Sequence, residues 1–171
     1  MTTQLIRHLV FAGCVGVLGA QAAVNARQQH NDGVALGIAT YQTTCPVALR
    51  GYLATAGTFL YQSAKVENRS DKPIAQLTFG VLVADATGSQ PATLLRSAVD
   101  VSLQPDVTQD ANVNLLRPVQ LEELSRAMSG TPTVTLGVIA LRWTDGTKWV
   151  VELPEGAKDF SSGTGHIIAQ E

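Results

Sequence analysis

The sequence predicts an all-β protein, an antiparallel β-sandwich of seven to eight strands with one short inserted helix. Three observations lead there. Apolar and polar residues alternate with a period of two along several short runs, most clearly from Ile74 to Ala84, as strands with one buried face require. Clusters of turn-forming residues, such as NRSDKP at 68–73 and DATG at 85–88, separate those runs. Helical spacing is confined to one segment, and no strand–helix alternation suggests a parallel sheet.

The chain begins with a segment unlike the rest. MTTQLIRH carries Arg7 and no acid, and LVFAGCVGVLGAQAAV follows as 16 residues that are apolar apart from Gln21. Small residues at Ala20-Gln21-Ala22, and again at Val24-Asn25-Ala26, offer cleavage sites. A basic end, an apolar stretch and an A-x-A site make residues 1–22, or 1–26, a signal peptide. The stretch is short against the roughly 20 residues needed to cross a bilayer. The expected product is exported, periplasmic or extracellular, with no membrane span after cleavage. Cleavage takes the net charge from −2 to −3 and removes Cys14, leaving Cys45 alone. No intrachain disulfide is then available. Cys45 reads either as a small buried hydrophobe or as a free thiol that pairs with another chain.

Residues 27–32 (RQQHND) form a polar, flexible lead-in, and from Gly33 the pattern turns to β. Residues 34–40 and 47–54 are short mixed runs divided at Cys45-Pro46, and 59–67 is a third, closed by NRSDKP. In the next run Ala75, Leu77, Phe79, Val81 and Val83 form an apolar face, with Gln76, Thr78 and Gly80 opposite. Leu82, on the wet side, is the exception. Asp85-Ala86-Thr87-Gly88 is a turn in which Gly88 is free to take positive φ. Leu95, Val99, Val101 and Leu103 mark another strand, with Arg96, Asp100 and Ser102 alternating, and Val113 with Leu115 a shorter one. Leu121, Leu124 and Met128 then recur at helical spacing, after Pro118 and before Gly130 and Pro132. That punctuation predicts a helix over about 119–129. Residues 134–143 and 148–153 close the domain, spanning 33–153, as a hairpin, and 154–171 is a polar, Gly/Ser-rich tail expected to be mobile. Strands of this number and spacing are those of an immunoglobulin-type sandwich.

The closing hairpin, RWTDGTKWV, holds both tryptophans, Trp143 and Trp149. A two-residue Asp145-Gly146 loop would set the indoles on opposite faces. A three-residue Thr144-Asp145-Gly146 loop, with Gly146 left-handed, puts Ile139, Leu141, Trp143, Trp149, Val151 and Leu153 on one face. Arg142, Lys148 and Glu152 then share the other face, with Val138, Ala140 and Val150 between them. The second register separates charge from apolar surface more cleanly and is the one expected. It turns both indoles inward and leaves Arg142 and Lys148 as the candidate partner contact.

The residues favour binding over chemistry. Lys and Arg are scattered singly in a mildly acidic chain, which argues against nucleic acid and anionic membranes, since both need a concentrated basic surface. Without the leader only His30 and His166 remain, both outside the strands, so Ser-His or Cys-His catalysis has no base in place. Cys45 has no neighbour at zinc-ligand spacing. Asp85, Thr87 and Ser89 begin like a calcium loop, but Gly88 stands at the fourth position and Arg96 at the twelfth. No catalytic residue, metal or cofactor is therefore expected. Asn68-Arg69-Ser70 matches a glycosylation triplet, which also arises by chance.

The stretch KVENRSDKPIAQLTFGVLVADATG resembles secreted bacterial immunoglobulin-like domains of the FxLYD type. Val66, Asn68, Ser70, Ile74, Val81, Val83, Asp85 and Gly88 carry the likeness, with Val81, Val83 and Ala84 where the name-giving Phe, Leu and Tyr would stand. Leu103-Gln104-Pro105-Asp106 resembles the Leu-x-Pro-Gly turn of such domains, with Asp106 replacing the glycine. The resemblance runs from Lys65 to Asp106 and implies a sandwich fold without a particular activity. The expected function is an exported non-catalytic module that contacts a protein partner or serves as a structural component. The alternative is a ligand-binding sandwich, proteinase-inhibitor-like or carbohydrate-binding, that presents its loops to a target.

Overall fold

The computed structural model describes residues 35–56, 59–84, 92–111, 113–114 and 133–169. The expected signal peptide, the lead-in at 27–32 and the helix at 119–129 lie outside the described residues. Those described contain ten strands and no helix. They are β1 (Ala35–Ala39), β2 (Val47–Ala56), β3 (Phe59–Asn68), β4 (Ile74–Ala84), β5 (Thr93–Leu103), β6 (Thr108–Asp110), β7 (Val113–Asn114), β8 (Thr133–Trp143), β9 (Lys148–Glu152) and β10 (Thr164–Ile168).

The strands form an antiparallel β-sandwich. One layer runs β1–β2–β3, with β6 and β7 successive on the far edge of β3. The other runs β5–β4–β8–β9–β10. A short parallel contact of β1 with β8, at Ile38–Thr135 and Ala39–Leu136, joins the layers. The free edge of β8 is thus shared, with β1 on its first half and β9 on its second. Between them the Gln42 side chain takes the place of a strand: its Nε2 donates to Val138 O at 2.8 Å and its Oε1 accepts from Val138 N at 2.8 Å. The amide is buried, and this pairing satisfies a backbone residue that neither strand reaches.

Between the layers lies the main core, with Leu53 and Val66 from one sheet and Ile74, Leu77, Phe79, Val81, Leu103, Leu136, Val138, Leu141, Trp143 and Trp149 from the other. Strict alternation does not survive along β4 and β8. In β4 the pairing with β5 and β8 slips by one residue between Ile74 and Gln76. Ile74 is therefore fully buried, while Ala75, expected inward, is only half-buried. In β8 an extra residue at Ile139 opposes the step from Thr78 to Phe79. Such a bulge reverses facing from that point on. Val138 consequently enters the main core, and Ile139, expected beside the tryptophans, turns to the outer face of the sheet.

There Ile139 meets Leu82, the exception of the alternating pattern, and Phe160, which is 0% exposed. Phe160 belongs to the segment expected as a tail. The folded unit does not end at residue 153: the chain crosses the outer face through residues 154–163 and returns as β10, paired with β9 from Thr164–Glu152 to Ile168–Lys148. The physical reason is a second, smaller apolar cluster, which the polar composition of the segment conceals.

Candidate functional site

The hairpin adopts the three-residue loop. Trp143 N donates to Thr147 O at 3.0 Å, Gly146 N donates to Trp143 O at 3.1 Å, and Gly146 has φ 86°. Arg142 stands opposite Lys148, and Leu141 opposite Trp149. Both indoles face the core, Trp143 at 4% exposure and Trp149 at 2%. Neither offers a stacking platform to solvent.

The Trp143 end of the sandwich is held by a polar knot. Asn68 is fully buried where β3 ends. Its Nδ2 donates to Lys72 O at 2.8 Å and to Leu103 O at 3.0 Å, and its Oδ1 accepts from Ser70 N and Ser70 Oγ. Both amide hydrogens are committed, so the Asn68-Arg69-Ser70 triplet presents no free nitrogen for a glycan in the folded protein. Asp106 N donates to Asn68 O, and Asp106 itself holds φ 58°, the left-handed conformation a glycine takes without cost. Trp143 Nε1 donates to Ser70 Oγ at 2.9 Å, and Lys72 Nζ lies 5.7 Å from the indole centre. Lys72 also pairs with Asp145 Oδ2 at 2.7 Å, tying the β3–β4 turn to the hairpin loop. That hydrogen bond, helped by Thr147, lowers the Asp145 pKa to about 2 and raises that of Lys72. Every group in the knot has a structural partner.

Cys45 is a free cysteine buried in the main core. Burial pushes its thiol up to about 12, the hydrogen bond from Val47 offsetting only part of this. It is neutral and enclosed, unlike a reactive or exchanging thiol.

Arg142 and Lys148 lie on the outer face of the five-stranded sheet. The pairing registers set Asp100, Gln76, Arg142, Lys148 and Ile168 in one row across β5, β4, β8, β9 and β10. The adjoining row reads Ala98, Thr78, Ala140, Val150 and His166, mostly small side chains. Beyond it come Arg96, Gly80 and Gly137, the two glycines lying under the Phe160 ring. The face is thus a shallow floor between a row of polar and charged groups and the strap that carries Phe160. Gln76 Nε2 donates to Asp100 Oδ1 at 2.9 Å, engaging one oxygen of the first row's single carboxylate. Arg142 and Lys148 face each other directly, and among the described residues neither has an acidic side chain at ion-pairing distance. Like charges directly opposite on neighbouring strands destabilise a sheet. The sequence set Arg96 and Gly80 on the outward sides of their strands but did not reveal their meeting with Gly137 and Phe160, although the misplaced Leu82 was the signal that something apolar covers this face.

His166 lies on the same face, 4.0 Å from Glu152. Among the described residues no group of three His, Cys, Asp or Glu side chains is placed to hold a metal ion, and no helix is long and apolar enough to cross a membrane. No known protein family, curated protein or solved structure matches the chain.

Proposed function

We propose that the chain is an exported, non-catalytic, immunoglobulin-like module of the bacterial envelope or extracellular space, and that it docks a protein partner through the outer face of its five-stranded sheet. The observation that carries this reading is the Arg142–Lys148 pair: two cations held opposite each other, with no carboxylate at ion-pairing distance among the described residues. Repulsion between them is relieved when a partner brings an anionic group. Small residues at Ala98, Thr78, Ala140 and Val150 leave the neighbouring floor open to close approach. Flat sheet faces with a polar rim suit a protein surface better than a small ligand, which needs a concave site. The alternative of a sugar-binding sandwich loses its tryptophan platform, because Trp143 and Trp149 are buried.

Charge reversal tests the reading. The double variant Arg142→Glu/Lys148→Glu is expected to lose a partner that wild type retains from the source envelope extract, and wild-type retention should weaken as salt is raised. A partner held equally by both proteins contradicts the assignment of this face.

A further inference from the structure

Gly80 and Gly137 stand directly opposite each other on two central strands of the sheet. Glycine weakens a strand interior, because it packs nothing and loses much backbone freedom on folding. Here the pair makes room. A Cβ on Gly137 would run into Cγ, Cδ1 and Cδ2 of Phe160, and one on Gly80 would stand 2.6 Å from Ile139 Cγ2 and 3.1 Å from Phe160 Cζ. Two absent side chains leave a depression the size of an aromatic ring, walled by Leu82 and Ile139.

The strap that fills it is lightly tied. Among the described residues its backbone hydrogen bonds in 154–163 are local turns, Ala157 N to Pro154 O and Gly163 N to Phe160 O, and Asp159 caps Ser161 within the strap. Gly156, at φ 74° and with open space around it, lies between β9 and the ring. The strap thus holds the outer face through Phe160 and the smaller apolar contact of Ala157, with Leu153 just before it packed on the same cluster. Arg96 is the direct cross-strand neighbour of Gly80, exposed at the edge of the depression, and no described carboxylate pairs with it. Four residues along β4 from Gly80, Gln76 marks the row that holds Arg142 and Lys148.

We propose that the Gly80–Gly137 depression is an aromatic-anchor site for the partner, occupied in the free protein by Phe160 as an internal stand-in. This rests on the docking face described above and specifies its occupant: an extended acidic segment with a phenylalanine-type side chain. Ring and carboxylates would sit about four residues apart, the spacing from Gly80 to the Arg142 row at about 3.3 Å per residue. The ring replaces Phe160 over the glycines, the carboxylates four residues on meet the Arg142–Lys148 pair, and an acidic residue next to the ring would meet Arg96.

The site can be tested with the one sequence known to fit it. A synthetic peptide of residues 155–163, EGAKDFSSG, is titrated into wild type, Phe160→Leu and Phe160→Ala, each checked for its fold by circular dichroism. Binding is expected to tighten in that order, with Phe160→Ala at least tenfold above wild type. The same peptide with its phenylalanine replaced by alanine should lose at least tenfold on Phe160→Ala. Adding Gly137→Ala, which puts a methyl group where the ring lies, should abolish the difference between the peptides. If Phe160→Ala does not fold, Phe160→Leu against wild type makes the same comparison. Equal binding of the two peptides to a folded Phe160 variant, or no effect of Gly137→Ala, overturns the anchor. Introducing Arg142→Glu/Lys148→Glu separates the two readings. Peptide binding that persists there, together with absence of any partner on the face, refutes the docking face and with it the partner's use of the site. A partner on the face without ring-dependent peptide binding refutes the anchor alone.

Discussion

Asn68 concentrates more of the fold's polar logic than any other described side chain. One buried amide joins the end of β3 to the turn before β4 and to the last residue of β5. Asn68→Ala leaves the Lys72 and Leu103 carbonyls and the Ser70 hydroxyl without this partner. The expected loss is about 2–4 kcal/mol by denaturant unfolding, given the cost of orphaned buried polar groups. Asp145 works differently, because it is exposed and its effect is readable through pH. Its folded carboxyl titrates near 2, against 3.8 for the free side chain, chiefly through Lys72. A depressed carboxylate stabilises the fold above the unfolded value and loses that contribution as pH falls through the folded one. Thermal midpoints of wild type should therefore drop between pH 4 and pH 2 by more than those of Asp145→Asn. Parallel curves would show that the Lys72 pair contributes nothing measurable.

At the scale of elements, Phe160 is the test of whether the strap belongs to the folded unit. Phe160→Ala empties the outer cluster and leaves the main core intact, so a loss of about 3 kcal/mol is expected, at the low end for a buried phenylalanine because the cluster is one-sided. The near-ultraviolet signal of the buried tryptophans should persist below the transition. What the sequence revealed at this scale, and what it hid, has a physical pattern. The hairpin register was legible because Asp145-Gly146 restricts the loop, and because only one parity separates Arg142 and Lys148 from the indoles. The apolar face of β4 was legible from Leu77 to Val83. The bulges at Ala75 and Ile139 were not, since one inserted residue reverses facing without any compositional mark. Nor was the role of the strap: a single phenylalanine among Ser, Gly and charged residues looks like a tail until two distant glycines are known to be paired beneath it.

For the molecule as a whole, the ten strands of the described residues close into two layers by sharing the edge of β8 between β1, the Gln42 side chain and β9. This economy places every tryptophan and the lone described cysteine inside, and it leaves one broad surface built from five strands. The candidate partner residues were legible in the sequence as charges on an outward hairpin face. Their grouping with Arg96 was not, because that depends on which strands become neighbours. The proposed protein partner docks on this outer face rather than on the opposite layer. Site-specific photo-crosslinking in the source cells tests it directly, with the reactive side chain at Val150 on the outer face of β9, and at Arg50 on β2 in the other layer. A discrete crosslinked product is expected from Val150, diminished by Arg142→Glu/Lys148→Glu, and none from Arg50. The same product from Arg50, or none from Val150 while Arg50 yields one, would contradict it.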